Sequence, residues 1–190
     1  MEDKYYHTKE SVEEYIKHSE GYSGINLIKP FIKFLSPDSV ILEIGSGPGK
    51  DWEIFNKKGF EVVGSDYSEE FVDYLKNKYP KNQFIKLDGA KLDTDKNFDA
   101  IYSNKVLHHL TDDQLVNSIK RQVELLNIGG IICHSFWKGK GDEEFKGMYV
   151  NYHQEEELIK LFENHFEILA FESYQEFEEG DSILFIGRKK

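Results

Sequence analysis

Three glycines on alternate positions follow a short apolar run, and an amphipathic stretch follows them. The segment reads Val40-Ile41-Leu42-Glu43-Ile44-Gly45-Ser46-Gly47-Pro48-Gly49. Glycine lets the backbone approach a ligand closely and adopt a positive φ angle. The first turn of a following helix offers unpaired backbone N–H groups to an anionic or carboxylate group. The pattern therefore predicts a strand, a ligand-binding turn and a helix.

Two kinds of nucleotide site use such a turn, and the spacing separates them. A phosphate-binding P-loop needs glycine five places before Gly49 and Ser or Thr after the lysine, whereas this chain has Ile44 and Asp51 at those positions. A dinucleotide site is typical of G-x-G-x-x-G, and here the three glycines alternate. The spacing excludes the P-loop and leaves a mis-spaced dinucleotide site as an alternative.

Carboxylates stand at the ends of three successive predicted strands, at Glu43, Asp66 and Asp88. A carboxylate at Asp66 can accept both hydroxyls of a ribose, and one at Asp88 can accept from an adenine amino group. Tyr67 can lie against an adenine face. Because open α/β sheets bind ligands at the carboxyl ends of their strands, we expect these side chains to line one edge.

Histidines offer a second kind of chemistry. His108 and His109 are adjacent and point about 100° apart on a helix, so both can hardly bind one ion. His134 lies on a predicted strand, and Cys133 beside it points the opposite way. We predict no metal site. His109 or His108 is a candidate base for an acceptor hydroxyl, amine or thiol, and the alternative for both is capping or packing.

Aromatic residues flank the predicted edge near both ends of the chain. Residues 139–152 follow the fifth predicted strand and carry three glycines, and we predict a substrate-facing loop there. Five residues near the amino terminus can fold over the same pocket as a lid: Tyr5, Tyr6, His7, Tyr15 and Tyr22. The alternative for each tyrosine is packing of helices onto the sheet. The predicted substrate-facing residues are Tyr6, Tyr15, Tyr22, His134, Trp137 and Tyr152.

Alternating apolar runs and amphipathic stretches must position these residues. The pattern predicts strands over 40–42, 62–64, 84–87, 98–102 and 131–134, and helices over 52–58, 69–79 and 112–126. Ser68 and Thr111 are predicted helix caps, and Gly59 and Gly129 are predicted stops. Such alternation implies parallel crossovers and helices on both faces of the sheet.

The two ends of the chain depart from this alternation. Residues 1–39 are predicted as helices, one opening at Ser11 and another with Pro30 at its start or at a kink. A helix over 155–164 is followed by apolar runs at 166–171 and 182–187, which predict an antiparallel hairpin. The expected fold is α/β, with a mostly parallel seven-stranded sheet and an antiparallel C-terminal strand.

Composition narrows the class of protein. The 190 residues have a formal net charge of −11, which weighs against a nucleic-acid partner. Cys133 is the single cysteine, so no internal disulfide can form and a reducing compartment is favoured. No apolar run approaches the ~18 residues of a membrane span, and the first residues lack a signal-peptide pattern. We expect one cytoplasmic domain, monomeric or homodimeric, with a helical lid or extension over 1–39 and a core over 40–190.

Several of these segments together resemble the motifs of class I S-adenosylmethionine-dependent methyltransferases of the small-molecule type 11/25-like group. They are residues 43–49, Asp66-Tyr67, Asp88-Gly89-Ala90, residues 104–110 and residues 125–130. The resemblance implies a Rossmann-like fold, S-adenosyl-L-methionine as cofactor and methyl transfer to a small molecule. Asn104 is not followed by Pro-Pro-Tyr or Pro-Pro-Phe, the signature of amino-group methylation on DNA or protein glutamine, which also favours a small-molecule acceptor.

The same resemblance implies a role for each motif. The loop would hold the methionine end of the cofactor, Asp66 the ribose, and Asp88 with its two neighbours the adenine, while Asn104 would lie where donor and acceptor meet. The implied cofactor-binding residues are Glu43, Gly45, Ser46, Gly47, Gly49, Asp66, Tyr67, Asp88, Gly89, Ala90 and Asn104. Two alternatives remain: a non-catalytic domain that binds the same cofactor, and a nicotinamide-dependent oxidoreductase, for which the chain shows no convincing Tyr-Lys pair.

Overall fold

A seven-stranded sheet forms the centre of the computed structural model, which describes residue 6, residues 8–145 and residues 147–190. Seven of the described strands form this sheet and two form a separate hairpin. In chain order they are β1 (Val40–Ile44), β2 (Glu61–Asp66), β3 (Gln83–Lys86), β4 (Phe98–Asn104), β5 (Leu126–Trp137), β6 (Asp142–Phe145), β7 (Met148–Asn151), β8 (Phe166–Tyr174) and β9 (Ser182–Lys189). The sheet order is β3-β2-β1-β4-β5-β9-β8, and β6 and β7 pair separately as an antiparallel hairpin.

The direction of the strands follows the prediction. β1 pairs in parallel with β2 and β4, β2 with β3, and β4 with β5. β9 runs antiparallel to both of its neighbours, β5 and β8. The predicted α/β, Rossmann-like sheet with a reversed C-terminal strand is confirmed, and its five parallel strands point their carboxyl ends to one edge.

Helices cover both faces of this sheet. They are α1 (Lys9–His18), α2 (Ile25–Phe31), α3 (Lys50–Lys57), α4 (Glu69–Lys78), α5 (Asp112–Leu125) and α6 (Glu155–Phe162). One buried cluster joins α2, α3 and α4 to the sheet through residues such as Phe31, Phe55 and Leu75. A second cluster joins α5 and α6 through Ile119 and Phe162. None of the described helices has the length and apolarity that crossing a bilayer requires.

Local capping explains most helix ends. The Ser68 hydroxyl accepts from the N–H of Phe71, and Thr111 forms a capping box with Gln114. Gly59 follows the last turn of α3 with φ +89°, the left-handed conformation that ends many helices. The predicted stop at Gly129 is wrong, because α5 ends at Leu125 and Gly129 lies within β5.

Two other segments differ from the prediction. α1 begins at Lys9 after the cap Thr8, which is earlier than Ser11, and Pro30 lies in the last turn of α2, before a 3-10 turn at Ile32–Phe34. The predicted loop over 139–152 contains the hairpin β6–β7. Its glycines and acidic residues hid the alternation that strand prediction relies on.

Candidate functional site

The glycine loop, residues 45–49, connects β1 to α3 at the carboxyl edge of the sheet. Gly45 and Gly47 have φ angles of +71° and +48°. A side chain at Gly45 would overlap Val106, whereas among the described residues a Cβ at Gly47 would come within 4 Å only of Tyr15, at 3.9 Å from Cε1. Space beside Gly47 is therefore open to a ligand, and bare main chain borders it. Gly49 ends the loop as the residue before α3.

Ser46 fixes this loop to the neighbouring strand. Its N–H donates to the Ser65 carbonyl at 2.7 Å, and its hydroxyl accepts the Ser65 N–H at 3.1 Å. The same hydroxyl donates to Oε2 of Glu43 at 2.6 Å. The glycines are thus held in place by β1 and β2, so the loop is formed by the protein alone.

The predicted acids stand beside the loop at the ends of β2 and β3. The carboxylate of Asp66 accepts the N–H groups of Gly47 and Ser68, both at 2.9 Å. Asp88 accepts the Ala90 N–H at 2.9 Å and so shapes the turn after β3. Because β2 and β3 pair in parallel, both carboxylates lie at the same edge.

Two further predicted residues complete this part of the edge. Tyr67 follows Asp66 with 49% of its surface exposed. Gly89 lies against the tip of β1, where a Cβ would be 3.3 Å from Cγ2 of Ile44. Together with the loop and the acids they form one half of the edge, residues 43–51, 66–68 and 88–90, which we call the cofactor half after the ligand that the sequence predicts there.

A second buried carboxylate lies next to Glu43, and sequence reasoning missed it. Asp51, in the first turn of α3, accepts from the Gly24 N–H at 2.5 Å, the Tyr102 hydroxyl at 2.7 Å and Nδ2 of Asn104 at 3.0 Å. Burial, and then the charge of Asp51, raise the pKa of Glu43 to about 8. Glu43 is therefore protonated near neutral pH. An acid in a first helical turn is ordinary, so its type carried no signal.

The side chain of Asn104 is engaged by the protein itself. Its Nδ2 donates to Asp51, and its Oδ1 accepts from the Ser135 hydroxyl at 2.8 Å. The Ser135 hydroxyl also accepts the Lys105 N–H at 2.9 Å. Asn104 lies at the edge, as predicted, and this chain of hydrogen bonds sets the orientation of its amide between β4 and β5.

The amino-terminal residues cover part of the edge. The rings of Tyr6 and Tyr15 are 5.2 Å apart, and Tyr15 lies 5.8 Å from Phe71 of α4. The Ser68 hydroxyl donates to the Tyr6 carbonyl at 2.5 Å. These contacts bring α1 beside the glycine loop and the start of α4. Tyr22 lies apart from this group, and Tyr5 and His7 lie outside the described residues.

The two adjacent histidines occupy a 3-10 turn after β4, Leu107–His109. His109 lies 2.7 Å from the Tyr149 carbonyl through Nδ1, which makes Nδ1 the protonated nitrogen. Burial, reinforced by His109, Lys105 and His153, lowers the pKa of His108 well below its usual range. His108 is therefore a neutral, buried ring. Within the described part of the chain no three His, Cys, Asp or Glu side chains group as metal ligands would.

Lys105, which follows Asn104, is the second functional candidate that sequence reasoning missed. Its φ angle is +54°, a left-handed conformation that residues with side chains rarely adopt. Its Nζ donates to the Phe136 carbonyl at 2.9 Å and to the Ser182 hydroxyl at 2.6 Å. Burial lowers the pKa of Lys105 to about 7. Neither a motif nor a spacing in the sequence identifies a lysine that is turned back over its own sheet.

Trp137 is the last residue of β5 and lies at this edge, between the amino group of Lys105 and the ring of Phe177. The Lys105 Nζ is 3.5 Å from the centroid of the Trp137 ring. Phe177, from the loop between β8 and β9, stacks on Trp137 at 5.8 Å with 20° between the planes. Tyr22 packs against Phe177 at 6.3 Å. We call Lys105, Trp137, Phe177 and Tyr22 the acceptor half of the edge, after the acceptor that the sequence predicts near Trp137 and Tyr22.

The structure corrects the prediction that His134 faces substrate. The side chain is fully buried, with Nδ1 at 2.8 Å from the Ser103 hydroxyl and Nε2 at 2.8 Å from Oε1 of Gln122. The alternation of β5 directs it to the face of α5 and α6, where it stacks on Phe162. Burial lowers the pKa of His134 to about 3, so it is a neutral core residue.

Tyr152 is not brought to the edge by the contacts it makes. Its hydroxyl donates to Oε1 of Glu143 at 2.6 Å, and its ring lies against Gly139. Both contacts are local to the hairpin β6–β7 and its flanks. The hairpin contacts the histidine turn through the Tyr149 carbonyl, which lies 2.7 Å from Nδ1 of His109. It also contacts the start of α5, where the Asn151 amide donates to Asp112 at 2.8 Å.

Comparisons of sequence and of structure both find methyltransferases. A family model described as a methyltransferase domain matches residues 41–130. A probable tRNA methyltransferase 9B of Homo sapiens is 30% identical over 112 residues, 58% of this chain and 24% of that protein. An uncharacterized methyltransferase of Bacillus cytotoxicus is 34% identical over 93 residues, 48% of this chain and 44% of that protein. The chain thus spans less than half the length of either relative.

A solved structure shares the whole fold. The 1,6-didemethyltoxoflavin-N1-methyltransferase of Burkholderia thailandensis, with bound 1,6-didemethyltoxoflavin and S-adenosylhomocysteine, superposes with a TM-score of 0.76 at 21% identity. The alignment covers 95% of this chain and 86% of that one. The family match at residues 41–130 begins in β1 and ends in β5, and so includes the glycine loop and both strand-end acids. Residues 41–130 therefore match a methyltransferase domain, and the fold is that of class I S-adenosylmethionine-dependent methyltransferases.

Proposed function

We propose that this protein transfers a methyl group from S-adenosyl-L-methionine to a small-molecule acceptor. The supporting observation is the juxtaposition, at one sheet edge, of open space at Gly47 with the carboxylates of Asp66 and Asp88. No single motif accounts for that arrangement, because three strands contribute to it. A tight turn with solvated acids would not need the acids on successive strand ends.

The chemistry of these groups fits the cofactor. An adenosine presents two ribose hydroxyls and an amino group, which are hydrogen-bond donors, and Asp66 and Asp88 are acceptors. The space that a Cβ at Gly47 would fill allows close approach of main chain to a ligand. At the other end of the loop, Glu43 and Asp51 form a buried acidic pair suited to the ammonium of a methionine end.

The proposed reaction demands little covalent participation from the protein. When bound, S-adenosylmethionine supplies a methyl group activated by a sulfonium. The chain holds donor and acceptor in line, and such positioning contributes about 7–11 kcal/mol in well-oriented intramolecular reactions. His109 is proposed as the base where an acceptor needs one, since its ring is half-exposed while His108 is buried.

The acceptor is proposed to be small. The chain has 35 acidic against 24 basic residues, an unfavourable balance for a polynucleotide, whose phosphates need basic surfaces. The other predicted properties are a cytoplasmic location, a single domain with residues 1–39 as a lid, and a monomeric or homodimeric state. The contacts of Tyr6 and Tyr15 at the glycine loop support the lid.

Calorimetric titration tests the cofactor. We expect S-adenosylmethionine and S-adenosylhomocysteine to bind and NAD not to bind; binding of NAD alone would instead support an oxidoreductase. Turnover of labelled methyl groups across a panel of small metabolites then tests the reaction, with bulk tRNA as the comparison. Transfer to a metabolite supports the proposal. Cofactor binding without transfer to any member of a broad panel would support the non-catalytic alternative.

A further inference from the structure

Lys105 carries a mostly buried amino group with no carboxylate within hydrogen-bond distance among the residues that the structure describes. Two of its N–H bonds go to neutral oxygens, the Phe136 carbonyl and the Ser182 hydroxyl. Its third side faces the Trp137 ring. Buried ammonium groups are normally paired with an anion, because desolvation of an unpaired charge is costly. Among the described residues, Lys105 therefore has no carboxylate bonded to it, and Glu176 and Asp181 act on it only through their charges.

The same residue has a strained backbone. Its φ of +54° places a long side chain in the left-handed region, which residues with side chains rarely adopt. The surrounding hydrogen bonds hold it there, since the Lys105 N–H donates to the Ser135 hydroxyl. This conformation turns the side chain from the end of β4 across β5 to β9. Lys105 thus combines a strained backbone with a buried amino group that bonds only to neutral oxygens, at the carboxyl edge of the sheet.

Exposed aromatic rings adjoin this amino group. Tyr22 and Phe177 are 58% and 62% exposed, unusual values for large rings that contact each other. Phe177 also stacks on Trp137, whose ring lies under the Lys105 amino group. Rings of this kind offer flat faces and edges to another planar ring.

The loop that carries Phe177 has a defined shape. Asp181 accepts the backbone N–H groups of Glu176, Phe177 and Glu178 at 2.8, 2.8 and 2.9 Å. These bonds outweigh partial burial and hold the pKa of Asp181 below its ordinary value. Asp181 accepts from four donors, counting the Ser182 hydroxyl at 2.8 Å, and this hydroxyl also accepts from the Lys105 amino group. These hydrogen bonds therefore hold the loop and its Phe177 ring in place without a ligand.

We infer that the acceptor half of the edge is a subsite for a small aromatic anion, such as an aryl carboxylate, whose negative group pairs with Lys105 and whose ring packs on Phe177 and Tyr22. The inference rests on the proposed function only in taking this ligand to be the methyl acceptor. The pairing itself requires no cofactor.

The groups that face Lys105 make this pairing sensitive to pH. They are His108 on the same turn, Tyr174 on β8, and Glu176 and Asp181 in the loop before β9. Burial lowers the pKa of Lys105 to about 7, and the charges of Glu176 and Asp181 only partly oppose it. A bound anion favours the charged amine, so binding should be tighter below neutral pH and weaken above it.

Titration with three probes tests the subsite. Benzoate carries both ring and charge, benzamide the ring alone, and acetate the charge alone. We expect benzoate to bind the S-adenosylhomocysteine-loaded protein at least ~10-fold more tightly than either other probe below neutral pH. Lys105→Met should reduce the benzoate-to-benzamide ratio to about one, while Lys105→Arg should retain part of it. The exposed Lys140→Met is the matched control and should leave the ratio unchanged.

Three outcomes would overturn the inference: no binding of benzoate, equal affinity for benzoate and benzamide, or a preference that survives in Lys105→Met. S-adenosylhomocysteine affinity reports whether each variant is folded, and if Lys105→Met fails to fold, Trp137→Leu should weaken benzoate but not acetate. If S-adenosylhomocysteine does not bind the natural chain, the proposed function fails. The benzoate and benzamide titrations of the unloaded protein then still decide the anion site.

Discussion

The two halves of the carboxyl edge are built in different ways. The cofactor half consists of short continuous segments at the ends of β1, β2 and β3, tied by backbone hydrogen bonds such as those of Ser46 and Asp66. The acceptor half brings together Lys105, Trp137 and Phe177 with Tyr22, which are far apart in the chain. The cofactor half is thus encoded by residues near one another in the chain, whereas the acceptor half depends on long-range contacts.

The two halves also differ in how they treat charge. In the cofactor half, two acids are buried together and Glu43 is kept protonated. In the acceptor half, an amine is buried among neutral groups and aromatic rings. One side therefore favours cationic or hydrogen-donating ligand groups, and the other favours an anion. The overall charge of −11 does not report this division.

Gly47→Val is expected to have the largest effect. The side chain would fill the open space beside the loop, so S-adenosylhomocysteine affinity should fall by about 1,000-fold, or about 4 kcal/mol, in calorimetric titration. Gly59→Val is the matched control, since it also has a positive φ but nothing within 4 Å among the described residues. Unchanged affinity in Gly47→Val would remove the loop from the cofactor half.

His134→Ala should act on stability and not on the edge. It would leave the Ser103 hydroxyl and the Gln122 amide without their buried partner and open a cavity, at a cost of about 3 kcal/mol in urea unfolding. S-adenosylhomocysteine affinity should stay within about twofold. If the variant were as stable as the natural chain but had lost methyl transfer, His134 would act on the acceptor and not in the core.

Asp66→Ala should weaken the cofactor by about 2–3 kcal/mol, because ribose hydroxyls would lose a charged acceptor. The change also removes the acceptor of the Gly47 N–H, which links it to the loop. Titration with S-adenosylhomocysteine measures the loss, and the exposed Asp93→Ala is the control. Equal affinity of the two variants would contradict the assignment of Asp66.

Glu43→Gln should have the smallest effect, visible only as a pH dependence. The native pKa of Glu43 is about 8 and its ordinary value 4.5, so its contribution to stability is complete below about pH 4.5 and is lost as pH rises through 8. Relative to the natural chain, the stability of the variant in denaturant unfolding should rise with pH between those limits.

Lys105→Met provides the opposite slope for comparison. The native pKa of Lys105 is about 7 and its ordinary value 10.5, so between these values the unfolded chain binds more protons and stability rises with pH. The methionine variant should lack that rise. If both substitutions changed the pH dependence of the unfolding free energy in the same direction, the two halves would not differ in buried charge.

The fold and the cofactor half could be predicted because their determinants are local. Strands such as Val40–Ile44 are buried on both faces and appear as continuous apolar runs, and caps such as Ser68 act within three residues. The glycine loop needs its conformations from its own residues, so its spacing is visible in the chain. The hairpin of β6 and β7 shows the opposite case. Its glycines and acidic residues predicted a loop, but the structure has two paired strands there.

The sequence by itself determined the order of the strands and helices around the main sheet, the glycine loop and the acids at the strand ends, since each depends on neighbours in the chain. Only the tertiary structure decided that Asp51 joins Glu43, that His134 belongs to the core, and that Lys105 lies over Trp137. The physical reason is that burial and partner distance set the charge and role of these side chains. Both quantities are properties of the folded chain and of no single segment.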